Sequence, residues 1–206
     1  MTINRILCVL ILVLTAQLGL SAGAQTNAAR YTYELIGGVA NRQYWIDPAM
    51  INPFYGTLSR NAVSSWNYVG GTLISFAETT DRTQSEEDFY AMAYGRDKDW
   101  VGVTVMRRAD GTGVVACVGC IPFENWVYAE ISLNDSWLAD PALYPDSREV
   151  QSVAAHEFGH GIGLDHTNVF CALMWPDTSN FLACGSVLYA PRDDDIQHAR
   201  TLPGAQ

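Results

Sequence analysis

Apolar and polar positions change period several times along this chain, and each change marks an element. Tyr31 to Ile36 alternates in a strand-like way, while Ala62, Val63, Trp66 and Val69 fall at helical spacing within 58–69. Ser59 is placed to cap that helix and Gly70-Gly71 to end it. Segments 73–78, 89–94 and 100–106 read as strands. Ala109-Asp110-Gly111-Thr112-Gly113 is a turn signal that joins the strand ending near Arg108 to another at 114–118, an antiparallel hairpin. A further strand is expected at 126–133. Asp146 or Ser147 can then cap a helix, with Asp146-x-x-Glu149 resembling a capping box, and Val150, Val153, Ala154 and Phe158 give that helix a partly apolar face. Gly161 and Gly163 weaken that helix, and Gly163 is suited to end it. A short last helix is expected over about 193–201, after Pro191. Strands first and helices later predict one α+β domain with a mixed sheet.

The first residues change the picture of where the domain begins. Met1 to Arg5 ends in a positive charge, Ile6 to Leu20 is nearly all apolar, and Ala22-Gly23-Ala24 supplies small residues. That order predicts a secretory signal peptide over 1–24, cleaved after Ala24, with one domain over 25–206. No later segment is apolar for long enough to span a bilayer, so no membrane anchor is expected after cleavage. The expected location is extracellular or periplasmic. The chain carries 12 basic and 22 acidic residues, a formal net charge of −10. Nucleic acid is therefore not an expected partner, because a phosphate backbone requires a basic face.

Beyond Cys8 in the signal, the chain has Cys117, Cys120, Cys171 and Cys184. An even number in an exported chain points to disulfides, with three pairings possible. Cys117–Cys120 and Cys171–Cys184 are favoured, since each closes a local loop. A redox or metal role for the Cys-x-x-Cys at 117–120 stays open as the alternative.

The chemistry concentrates in His156-Glu157-Phe158-Gly159-His160-Gly161-Ile162-Gly163-Leu164-Asp165-His166. On a helix, residues four apart share a face, so His156 and His160 can reach one Zn²⁺. Glu157 can lie beside that ion without binding it. Gly163 permits a turn at positive φ, which brings His166 round as third ligand. Three protein ligands leave a fourth position for water, the pattern of a single catalytic zinc. Zinc in such a site acidifies water and polarises a carbonyl, and Glu157 is placed to act as general base. A bare His-Glu-x-x-His arises by chance in roughly one chain in 200 of this size. Fixing Gly163 and His166 lowers that to roughly one in 10⁵, so the longer run carries the argument. Three of the chain's four histidines lie in it; the fourth, His198, reads as a surface or packing residue.

This run resembles the metzincin clan of zinc peptidases, and its His-Glu-Phe-Gly-His, Gly-Leu, His form is similar to the matrixin family, the matrix-metalloproteinase-like enzymes. Cys171-Ala172-Leu173-Met174-Trp175-Pro176 resembles the Met-turn, with Met174 as hydrophobic support beneath the metal. Asp194-Asp195-Ile196 resembles the closing helix, which makes Asp194 and Asp195 supports of that turn. The resemblance is strong over 150–204 and loose over 31–149. It implies a zincin-like fold with an antiparallel edge strand, an active-site helix, a Met-turn and a C-terminal helix. It also implies a secreted zinc endopeptidase whose protein or peptide substrate lies extended along the edge strand, placed here at about 113–120. Trp175 to Tyr189 would wall the specificity pocket, with Cys171–Cys184 constraining it.

Three features depart from the family pattern. Only about six residues separate the expected cleavage site from Tyr31, so latency by an inhibitory pro-segment cysteine is not expected. No histidine precedes His156 in the mature chain, which excludes a second zinc of the family's type. Asp97, Asp99, Asp110 and Asp135 are conceivable calcium ligands, but solvated loop acids are the better reading. Two other functions compete: an exported zinc-binding interaction protein with little or no peptidase activity, and hydrolysis of a cell-wall or small-peptide amide. Retention of Glu157 argues against the first.

Overall fold

The structure is a computed structural model that describes residues 30–116, 121–176, 184 and 189–206. The signal segment and Cys117–Cys120 lie outside the described residues. Five strands form one sheet: β1 (Arg42–Ile46), β2 (Phe76–Glu78), β3 (Glu87–Met92), β4 (Gly102–Arg107) and β5 (Tyr128–Asn134). Their order is β2-β1-β3-β5-β4. Every pairing is parallel except that of β4 with β5, which runs antiparallel from Gly102↔Leu133 to Arg107↔Tyr128. The helices are α1 (Pro53–Trp66), α2 (Asp135–Leu138), α3 (Ser147–Gly161) and α4 (Asp193–Ala199). This is the α+β architecture expected. No helix among the described residues is long and apolar enough to cross a membrane.

Helix α1 begins five residues before the expected start. Its cap is Asn52, whose side chain accepts from Phe54 N at 2.9 Å, and Pro53 takes the first helical position. Ser59, expected as the cap, lies buried inside the helix. The helix stops at Trp66 because Asn67 turns to the sheet: its amide accepts from Phe76 N at 2.9 Å and donates to Phe76 O at 3.0 Å. Helix α3 carries the capping box of Asp146 and Glu149. It lies across the sheet with Phe158 edge-on to Phe76 and stacked on Phe89, at centroid distances of 5.0 and 6.2 Å. Trp66 Nε1 donates to Ala155 O at 2.9 Å and pins α1 to α3.

Several expected strands shift. Residues 31–36 form no strand; they meet their neighbours through the single bridges Arg30↔Leu164 and Leu35↔Trp126. Tyr31 and Leu35 are the buried positions there, four residues apart rather than two. Strand β1 has no counterpart in the apolar pattern, since Tyr44 is its only fully buried residue. The turn at 109–113 forms, with Arg108 N donating to Thr112 O at 2.8 Å and Gly111 at φ 84°. Among the described residues, its return leg meets β4 through an Arg107↔Gly113 bridge and the Val114 N to Met106 O bond. The antiparallel edge strand among the described residues is β4, Gly102–Arg107, whereas 113–116 of the segment assigned from sequence form no named strand and Cys117–Cys120 lie outside the described residues. β4 is the strand whose partner β5 occupies one side only, and it runs beside α3.

Candidate metal centre and active site

Helix α3 ends at Gly161, and Gly163, at φ 118°, reverses the chain. That backbone region favours glycine. Tyr31 N donates to Gly163 O at 2.9 Å, and Leu164 bridges Arg30, so residues 30–31 brace the reversal. The result sets three imidazoles face to face. The Nε2 atoms of His156, His160 and His166 lie 3.1 Å (156–160), 3.2 Å (156–166) and 3.2 Å (160–166) apart. Bonds of ~2.0–2.1 Å at tetrahedral angles separate ligand nitrogens by ~3.3 Å, so one Zn²⁺ fits this triangle.

The outer nitrogens fix the tautomers that such a site needs. His156 Nδ1 donates to Leu173 O at 2.7 Å and His160 Nδ1 to Leu164 O at 2.8 Å, which leaves both Nε2 lone pairs facing inward. Burial holds the His156 imidazole down to about 4 and His160 well below the usual histidine range, with neighbouring histidines adding to both shifts. His166 is lowered too, chiefly by burial. Neutral imidazoles are the form a metal requires. Three lone pairs converging without a cation would repel, so the donor set itself calls for one.

Glu157 shares the helix and is 8% exposed. Burial pushes its carboxyl up to about 7, against the Thr104 hydroxyl, which pulls it down. Thr104 Oγ1 lies 2.8 Å from Glu157 Oε2 and 2.8 Å from Glu157 O. Sequence reasoning passed over Thr104; its only signal was one polar residue inside the apolar run Val101-Gly102-Val103-Thr104-Val105-Met106. It also passed over Tyr31, whose hydroxyl reaches His160 Nδ1 at 3.0 Å.

Met174 is 1% exposed and packs on Gly159, where a Cβ would collide with its sulfur. Thr167 N donates to Met174 O at 3.0 Å, closing the loop between His166 and the turn. Asp195 accepts from Leu173 N at 2.8 Å, Met174 N at 3.0 Å and Arg192 N at 2.7 Å. Among the described residues Asp194 has no hydrogen bond to the turn; it faces His198 at 3.5 Å. Cys171 and Cys184 are joined by a disulfide with a Cα–Cα distance of 5.6 Å. Among the described residues, the three histidines are the one group of three or more potential metal ligands that converge. Asp97 faces Lys98, Asp110 accepts from Thr112, and Asp135 accepts from Tyr55, while Asp99 is exposed.

Comparison with known proteins agrees with this geometry. Stretches of 71 residues are 35% identical to matrix metalloproteinase-27 of Tupaia belangeri and of Homo sapiens. Each covers 34% of this chain and 12% of the relative, so the chain matches only a small part of those proteins. The family model for matrixin matches residues 58–203, a span that takes in the last nine residues of α1, the whole sheet after β1, the histidine triangle, the Met174 turn and α4. The chain belongs to the matrixin family of zinc metallopeptidases.

Proposed function

We propose that this chain is an exported zinc endopeptidase that hydrolyses peptide bonds of protein substrates. The observation that carries the reading is the convergence of the three histidine Nε2 atoms beside a buried carboxylate on the same helix. His156, His160 and His166 would hold one zinc ion. Bound there, zinc supplies an acidified water and an electrophile for the scissile carbonyl. Glu157 takes the proton of the attacking water and delivers it to the departing amine. Water attacks directly, so no covalent acyl-enzyme forms. The substrate would lie extended along β4, adding a strand to the open side of the sheet; the pocket wall expected at 175–189 falls mostly on residues outside the described ones. Met174 and Gly163 serve as supports of the site, and Asp195 as the brace of the turn. Export is supported by the sequence of residues 1–24 and by the Cys171–Cys184 disulfide, which an oxidising compartment favours.

Casein digestion by protein beginning at Gln25 tests this. Wild type should cut, a chelator should stop it and added zinc restore it. Glu157→Ala, at matched zinc content, should be at least ~100-fold slower. Full zinc occupancy with no cleavage of casein or of a broad peptide library would replace this reading with the exported zinc-binding protein.

A further inference from the structure

Strand β4 supplies more than an edge. Gly102 and Thr104 both face α3 at Glu157. A Cβ built on Gly102 would stand 2.8 Å from Glu157 Cγ, 3.0 Å from its Oε1 and 2.6 Å from Val153 Cγ1. A glycine is therefore required for the strand to come this close. Two residues on, Thr104 is 7% exposed and has its hydroxyl within reach of Glu157 alone. The glycine brings the strand down onto the carboxylate, and the hydroxyl meets it there. Oε1 has no protein hydrogen-bond partner among the described residues, whereas Oε2 has Thr104.

We propose that Thr104 is a positioning residue for Glu157: its hydroxyl holds Oε2 and thereby presents Oε1 to the attacking water. The inference rests on the reading of Glu157 as general base. The second contact, to the Glu157 carbonyl, suits this role. A hydroxyl has one proton and two acceptor lone pairs. While the carboxylate is charged, Thr104 donates to Oε2, the stronger acceptor. Once Glu157 has taken the proton of the water on Oε1, Thr104 keeps donating to Oε2, with the carbonyl oxygen as a second acceptor at the same 2.8 Å, and the new proton stays on the side that faces the substrate. No proton is lost from the pair, and neither state leaves a buried polar atom unpaired. Because Thr104 belongs to the edge strand, a substrate seated along β4 bears on the same backbone that fixes the base.

The test compares Thr104→Val, which keeps the shape and removes the hydroxyl, with Thr104→Ser, which keeps the hydroxyl. Each is assayed with zinc content and melting temperature recorded. T104V should lose ~10-fold or more in kcat with KM within ~2-fold, and T104S should recover most of the loss. T104V with wild-type kcat at full zinc occupancy overturns the proposal, as does T104S falling as far as T104V. Glu157→Gln runs beside them. If it retains activity, the assignment of the base has failed, a result separable from failure at Thr104. A crystal structure of the zinc-loaded wild type gives a readout independent of turnover and of variant folding. Glu157 Oε2 within hydrogen-bond distance of Thr104 Oγ1 supports the proposal, and a carboxylate turned away from Thr104 overturns it.

Discussion

Tyr31 lays its ring against His160, with centroids 6.0 Å apart and planes 26° from parallel, and sets its hydroxyl 3.0 Å from the histidine's Nδ1. The partner ring on its other side is Trp126, edge-on at 6.2 Å, which itself donates to Gly161 O. Burial, with the charges of Asp165 and Glu157, pushes the phenol well above its usual range, so it stays a neutral hydroxyl. Removing an outer partner of a metal-bound histidine commonly costs 10–100-fold in metal affinity. Tyr31→Phe keeps the stack and loses the hydroxyl, and a competition assay with a zinc chelator should show about 10-fold weaker binding. Tyr31→Ala should be weaker still. Equal zinc affinity for wild type and Tyr31→Phe would confine Tyr31 to packing.

Asp195 and Asp194 should respond differently to the same change. Asp195 satisfies three backbone N–H groups, two of them on the turn whose Leu173 carbonyl holds His156. Asp195→Ala leaves those donors unpaired and should cost about 2–4 kcal/mol in urea denaturation, with reduced zinc content. Asp194→Ala should stay within about 0.5 kcal/mol. Similar losses from both would mean that the turn does not depend on the Asp195 carboxylate.

Glu87 is wholly buried, and neither carboxylate oxygen has a hydrogen-bond partner among the described residues. It packs on Gly161, where a Cβ would collide with it. Burial, reinforced by Asp88 and Glu86, raises its proton affinity well above the ordinary value of 4.5. A carboxyl so shifted stabilises the fold most when protonated in both states, below pH ~4.5, and the contribution is lost as pH rises toward the folded-state value. Glu87→Gln removes that dependence. Thermal melts should show the variant gaining on wild type as pH rises from about 4.5 to 8, with the gap closing toward pH ~4.5. A gap independent of pH would count against it.

The Cys171–Cys184 bridge closes a loop with a sequence separation of 13. Replacing both cysteines by serine should cost roughly 3 kcal/mol. If residues 175–189 wall the specificity pocket, the variant should also redistribute its cleavage sites in a peptide library. Lost stability with unchanged site selection would leave the bridge a purely structural part.

What could be read in the sequence was local chemistry. The capping box at Asp146 and Glu149 and the reversal at Gly163 depend on residues a few positions apart, and the structure places each where expected. What escaped depends on contacts between distant segments. Strand β1 carries few buried side chains and begins at Arg42, whose charge is met by Glu86, the residue just before β3. β3 opens on Glu87 and Asp88, acids that do not read as strand. Asp88 is accepted there because Arg82 reaches it at 2.7 Å. The choice between Asp194 and Asp195 turns on a rotation of about 100° along α4, the angle between adjacent helical residues, and only docking against the Met174 turn decides it. The edge strand was placed at 113–120 because a hairpin can be read from its turn, whereas the sheet order that leaves β4 outermost cannot.

Both ends of the described chain meet at the histidine loop. Arg30 donates to Thr201 O at 3.0 Å, Tyr31 is tied to Gly163 and His160, and Val39 N reaches Pro203 O at 3.0 Å. Whatever tightens the metal site should therefore tighten residues 30–31, and by reciprocity whatever frees those residues should loosen the metal. Zinc loading should accordingly slow amide hydrogen exchange at Tyr31 and Val39, whose N–H groups are held by Gly163 O and Pro203 O. A bulky fusion that displaces residues 30–31 should act as an antagonist of metal binding without touching a single ligand.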